Sequence, residues 1–172
     1  LPPFDDEMVY SFHHYIGSSA DTNWIHQYTT NLSHQYNVPL WIGEFGENSN
    51  SWAYNKINLF EDNNIGWSWW NYKSIERISS LLSYKINSDY QQVIDYWEGK
   101  ISKPDTNTAY QGLISMAESI HFDSCHINQG LIRALIDTSF NTVKVSYENF
   151  QPPGLLPATS YDVGNNNIAY FD

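Results

Sequence analysis

Five segments of the chain before Lys73 alternate between strand-like and helix-like patterning, and that alternation restricts the kind of sheet it can build. Met8 to Tyr15 is rich in β-branched and aromatic residues and reads as a strand, followed by Gly17 and two serines. Asp21 is placed to cap a helix in which Trp24, Tyr28, Leu32 and Tyr36 fall four apart, and Asn37 ends it. Val38 to Phe45 reads as a second strand. Ser51 to Glu61 reads as a second helix that turns Ala53, Ile57 and Phe60 to a core. After the Asn63-Asn64 break, Ile65 to Tyr72 reads as a third strand. Strands joined through helices by short connections imply right-handed crossovers and a parallel sheet, hence an α/β fold. Three parallel strands leave two bare edges. The chain is therefore expected to be part of a larger unit or to pair with another chain. It opens on Leu1-Pro2-Pro3 rather than Met, as if an upstream portion were missing.

Beyond Lys73 the patterning is helical and less regular. Asp89 to Glu98, Thr106 to Ile120 and Asn128 to Asp137 read as helices. From Thr138 the character changes: Val143, Val145 and Tyr147 alternate with polar residues as in an edge strand, and Pro152-Pro153-Gly154 with Pro157 marks a boundary. The expected organisation is one domain over 1–137, a linker over 138–157 and the start of a second module over 158–172.

Eight basic against nineteen acidic side chains give a net charge of −11. Affinity for nucleic acid and for anionic membranes rests on Lys and Arg, so neither is an expected partner. Aromatic residues make up 16% of the chain, which suits a polar ligand that stacks on rings as well as it suits packing. The single cysteine, Cys125, excludes an internal disulfide and a cysteine-based zinc site. His13 and His14 are adjacent on a strand and face opposite ways, so one metal site cannot easily use both. No metal or cofactor is expected.

The run Val38-Pro39-Leu40-Trp41-Ile42-Gly43-Glu44-Phe45-Gly46 carries an apolar stretch into one carboxylate at its C-terminal tip. Parallel α/β barrels place their chemistry at such tips, and a strand-end carboxylate ringed by aromatics suggests glycoside cleavage. Strict alternation puts Leu40, Ile42 and Glu44 on one face and Trp41, Gly43 and Phe45 on the other. On the first strand Val9, Ser11, His13 and Tyr15 share a face. On the third, Gly66, Ser68 and Trp70 do. His13, Tyr15, Glu44 and Trp70 are thus expected at one rim.

These residues resemble glycoside hydrolase family 5, retaining β-glycanases on a (β/α)8 barrel. "VYSFHHY" resembles the sixth strand of that barrel, "VPLWIGEFGE" the seventh and "IGWSWWNYK" the eighth. The resemblance covers roughly the first three quarters of the chain and implies the C-terminal part of such a barrel, about three strands of it. It implies Glu44 as nucleophile, the pair His13 and Tyr15 beside it, and Trp70 under the sugar ring. The family's acid/base, a Glu following Asn on the fourth strand, has no counterpart here, and Glu47 lies in a loop three residues past Glu44. The stretch "PPGLLPATSYDVGNNNIAYFD" resembles the opening of a family 6 carbohydrate-binding module.

In a retaining glycosidase one carboxylate attacks the anomeric carbon while a second carboxyl group protonates the leaving oxygen. A Tyr15 hydroxyl donated to Glu44 would fix its rotamer. Trp52, just past the Glu44 loop, would line a more distant sugar subsite, and Asn48 and Lys73 would touch sugar hydroxyls. The expected activity is hydrolysis of β-1,4-glucan or a related polysaccharide by a secreted or cell-surface protein. The missing barrel half or a second chain would supply the acid/base, and the chain alone would be inactive. The alternatives are a carbohydrate-binding fragment that does not cut and a truncated remnant.

Overall fold

The computed structural model describes residues 2–5, 7–15, 22–146, 151, 154–155 and 162–169. In chain order its elements are β1 (Tyr10–His14), α1 (Asn23–Tyr28), β2 (Leu40–Gly46), α2 (Asn50–Asp62), β3 (Gly66–Trp70), β4 (Lys73–Ile75), β5 (Leu82–Tyr84), α3 (Ser88–Trp97), α4 (Thr106–Ser119), β6 (His126–Ile127) and α5 (Gln129–Ile136). The fold is mixed α/β. By packing, the chain forms two compact units: Leu1–Trp70 with Gln129–Asp172, and Asn71–Asn128. The proline-rich stretch marks a change of composition, whereas these units follow contact.

In the first unit β1, β2 and β3 form a parallel sheet in that order. The helix after β1 widens from α1 into π-type turns over Thr29–His34. The Thr29 hydroxyl there donates to the carbonyls of Ile25 and His26, a back-bonding that bends helices. Thr22 occupies the N-cap position without a side-chain bond; Asp21, the expected cap, lies outside the described residues. Asn37 and Asn64 carry the chain away from the two helices at φ 54° and 53°. Asparagine tolerates this left-handed conformation better than most residues.

One face of this sheet is covered by aromatic rings. Phe45 has no exposed surface. It meets Phe60 of α2 at 5.0 Å, Trp67 at 5.6 Å and Trp69 at 5.1 Å, each edge to face. His14 stacks on Trp24 of α1 at 4.2 Å. On α2, the Ser49 hydroxyl accepts the Trp52 amide as an N-cap, and Ala53, Ile57 and Phe60 are buried.

Strict alternation fails in β2. Phe12 pairs with Ile42 but His13 pairs with Glu44, and Ile42 pairs with Trp67 while Phe45 pairs with Trp69. One extra residue has entered β2, a β-bulge at Gly43. Leu40, Ile42 and Phe45 are all buried, and Trp41 is 41% exposed. The expected grouping of Leu40 and Ile42 with Glu44 is therefore corrected: the bulge reverses the parity, and Glu44 joins Trp41 and Gly43.

α5 packs on α2. Phe140, in a short 3-10 turn over Thr138–Asn141, is fully buried against Tyr54 at 5.3 Å. Arg133 donates to Asp137 and to the carbonyls of Val163 and Val143, which holds the later segment to α5. The expected edge strand through Val143 and Val145 amounts to one antiparallel bridge, Val145 with Val163; Tyr147 lies outside the described residues. So does most of the stretch that resembles a carbohydrate-binding module; its 162–169 part supplies that bridge and a turn.

The second unit carries a small sheet in which β4 runs parallel to β5 and β5 antiparallel to β6. α3 packs on α4. Asn87 caps α3 through the Tyr90 amide, and Asp105 caps α4 through the amides of Asn107 and Thr108.

Replacing Phe45 with Ala removes the ring on which three others converge and should cost about 3–5 kcal/mol. Urea unfolding measures it, with Ile136→Ala as a control: that side chain is 74% exposed, and its loss should stay within about 0.5 kcal/mol.

Candidate functional site

Each sheet residue expected at the rim sits beside a buried aromatic on the same strand. His13 precedes His14, which stacks on Trp24. Glu44 precedes Phe45, and Trp70 follows Trp69, which packs on Phe45. Neighbours on a strand point to opposite faces, so His13, Glu44 and Trp70 share the face that the helices leave open. His13 pairs directly with Glu44 in the register, and Trp70 pairs with Gly46, two residues further along β2.

Glycine is required at position 46. Its φ is +151°, and a methyl group there would stand 2.1 Å from the Trp70 carbonyl oxygen. This lets the tips of β2 and β3 approach closely just past the carboxylate.

Tyr15, at the end of β1, donates its hydroxyl to Oε2 of Glu44 at 2.7 Å. His13 Nδ1 lies 3.3 Å from the same oxygen. The first is a short, charge-assisted bond of the class contributing about 1.5–3 kcal/mol. The second is longer than a well-formed N–H···O bond. Its partners are also half-open, with side-chain exposures of 54% for His13 and 31% for Glu44, so its contribution is about 0–1 kcal/mol. Tyr15 therefore sets the carboxylate rotamer and His13 trims it. Among the described residues Oε1 accepts no hydrogen bond. Partial burial, the bond to Glu44 and the negative charges of Glu44 and Glu47 push the Tyr15 hydroxyl above the ordinary tyrosine value of 10.0.

The four residues expected to touch sugar are placed unequally. Trp70 is 46% exposed, with a ring available for stacking. Trp52 is only 5% exposed, against His14 at 5.8 Å and Phe45 at 6.1 Å, so it is a core ring and offers no face to a sugar. Asn48 is exposed in the loop after β2, where its side-chain oxygen accepts the Ser49 amide. Lys73 belongs to the second unit, where its ammonium donates to the Ile120 carbonyl. Trp41 was not expected on the open face. Its signal was the apolar spacing 40, 42, 45, which changes parity and marks an inserted residue. No group of three or more His, Cys, Asp or Glu residues suited to a metal ion occurs among the described residues.

Comparison of the chain with family models, with curated proteins and with solved structures finds no match.

The raised Tyr15 value fixes the sign of a pH effect. Stability from a group whose folded value is raised is full below its unfolded value and is lost as pH climbs through the folded one. The stability difference between the native chain and Tyr15→Phe should be constant up to about pH 10 and shrink above it. Urea unfolding at stepped pH measures this, and a difference that grows above pH 10 would contradict it.

Proposed function

We propose that β1, β2 and β3 are adjacent strands of an incomplete (β/α)8 barrel, and that Glu44 is the nucleophile of a retaining β-glycanase acting on β-1,4-glucan or a related polysaccharide. The observation that carries this reading is the carboxylate at the tip of β2, held at one oxygen by Tyr15 with His13 beside it. A carboxylate meant to attack needs one oxygen fixed and the other free. The Tyr15 hydroxyl donates to Oε2 and His13 Nδ1 lies beside the same oxygen, which leaves the lone pairs of Oε1 for the anomeric carbon. Trp70, exposed two residues further along, would lie under the sugar and keep water from that side.

A retaining mechanism needs a second carboxyl group about 5–5.5 Å from the first. In this reading it comes from further strands that pair with the outer edges of β1 and β3, in another segment or chain. A polymeric glucan substrate implies a protein that works outside the cell or at its surface.

The nucleophile can be tested without the acid. In 2,4-dinitrophenyl 2-deoxy-2-fluoro-β-cellobioside the leaving group departs unprotonated. Glu44 Oε1 bonds to the anomeric carbon, the bond to dinitrophenolate breaks with its electron pair, and the fluorine slows the hydrolysis that follows. Mass spectrometry of the native chain should find one fluorocellobiosyl group on Glu44 and none on Glu44→Gln. A label on another residue removes Glu44 from the role. Glucan binding without any label, unchanged in Glu44→Gln, favours a binding surface that does not cut.

A further inference from the structure

Position 43 is glycine for a reason that its backbone does not supply. Only Gly46 and Gly99 among the described glycines have positive φ, so any residue could adopt the conformation of Gly43. Its neighbours are what exclude a side chain. A methyl group there would stand 2.6 Å from Ser11 Oγ and 3.3 Å from both Cδ2 and Nε2 of His13. The Cδ2–Nε2 edge of the imidazole thus lies over the bare α-carbon, and the other side of the ring carries Nδ1 to within 3.3 Å of Glu44 Oε2. The bulge brings the seat and the carboxylate together: Gly43 is the inserted residue and Glu44 comes next.

From this geometry we propose that Gly43 is a positioning residue that acts through His13. Its missing side chain seats the imidazole and aims Nδ1 at Oε2, so that Oε1 stays free. The catalytic consequence rests on the reading of Glu44 as a glycosyl nucleophile; the seat itself does not. A methyl group at 43 lifts the ring by a few tenths of an ångström, and Ser11, a short rotatable side chain, turns aside.

Two readouts test it. The first is the imidazole 15N spectrum of His13 in the resting protein. In folded Gly43→Ala the Nδ1 signal should move toward that of a solvent-exposed histidine. The second is the rate of Glu44 labelling by the fluorocellobioside in a double-mutant cycle. Gly43→Ala should slow labelling about threefold when His13 is present, in keeping with the small His13 contact, and leave it unchanged in His13→Ala. Unmoved His13 signals in folded Gly43→Ala, or equal losses in both backgrounds, would overturn the proposal. If the native chain takes no label, the glycosidase reading fails while the spectrum still decides the seat. If Gly43→Ala does not fold, Ser11→Ala beside it relieves the closest contact and the same readouts apply. Should it still unfold with both Ser11→Ala and His13→Ala present, the backbone itself requires the glycine and the proposal falls.

Discussion

Seven residues of β2 serve two faces with opposed demands. Leu40, Ile42 and Phe45 all belong under the helices, where each buried side chain contributes about 1.5–3 kcal/mol. Glu44 stands between them, and an unpaired carboxylate on that covered face would cost several kcal/mol. A regular strand cannot bury 42 and 45 together, because their parities differ. The bulge at Gly43 removes the conflict with one residue. Everything else at the site follows from that insertion: the aromatic layer closes on Phe45 behind the sheet, and the carboxylate meets Tyr15 and His13 in front of it.

The two contacts on Glu44 are unequal, and the inequality assigns their work. The Tyr15 bond is short, charge-assisted and partly sheltered. The His13 contact is longer and open to water, where ion pairs contribute little. Losing the tyrosine should free the carboxylate, whereas losing the histidine should only alter its tuning. In the proposed reaction Oε1 is the better placed atom to attack, since Oε2 would have to give up the Tyr15 bond before it could bond to a sugar.

Much of the first unit was legible from local pattern. Period-two and helical stretches located β1, β2, β3 and α2 to within about two residues, because each pattern is strong and each element is bounded by Asn, Gly or Pro. Alternation placed His13 and Tyr15 together, but it grouped Glu44 with the buried Leu40 and Ile42; the bulge is what brings the carboxylate to the face of the other two. Positions 40, 42 and 45 already held the sign of that break. Other features had no such signal. Strands β4, β5 and β6 have two or three residues each, too few to show a period. Trp52 looks outward when judged by its nearness to the Glu44 loop, yet the Ser49 cap starts α2 so that the indole turns into the aromatic layer. Lys73 follows β3 closely in sequence but belongs to a separate packing unit, a division no local pattern announces.

In the proposed reaction Oε2 of Glu44 stays held and Oε1 is the atom that bonds to a sugar. A crystal structure of the chain carrying the trapped fluorocellobiosyl group measures this directly. A covalent bond from Oε1 to the anomeric carbon is expected, with the Tyr15 hydroxyl still donating to Oε2, His13 Nδ1 beside it and the bulge at Gly43 intact. A sugar bonded through the oxygen that Tyr15 occupies, or a regular β2 with Glu44 turned toward Phe60, would contradict it.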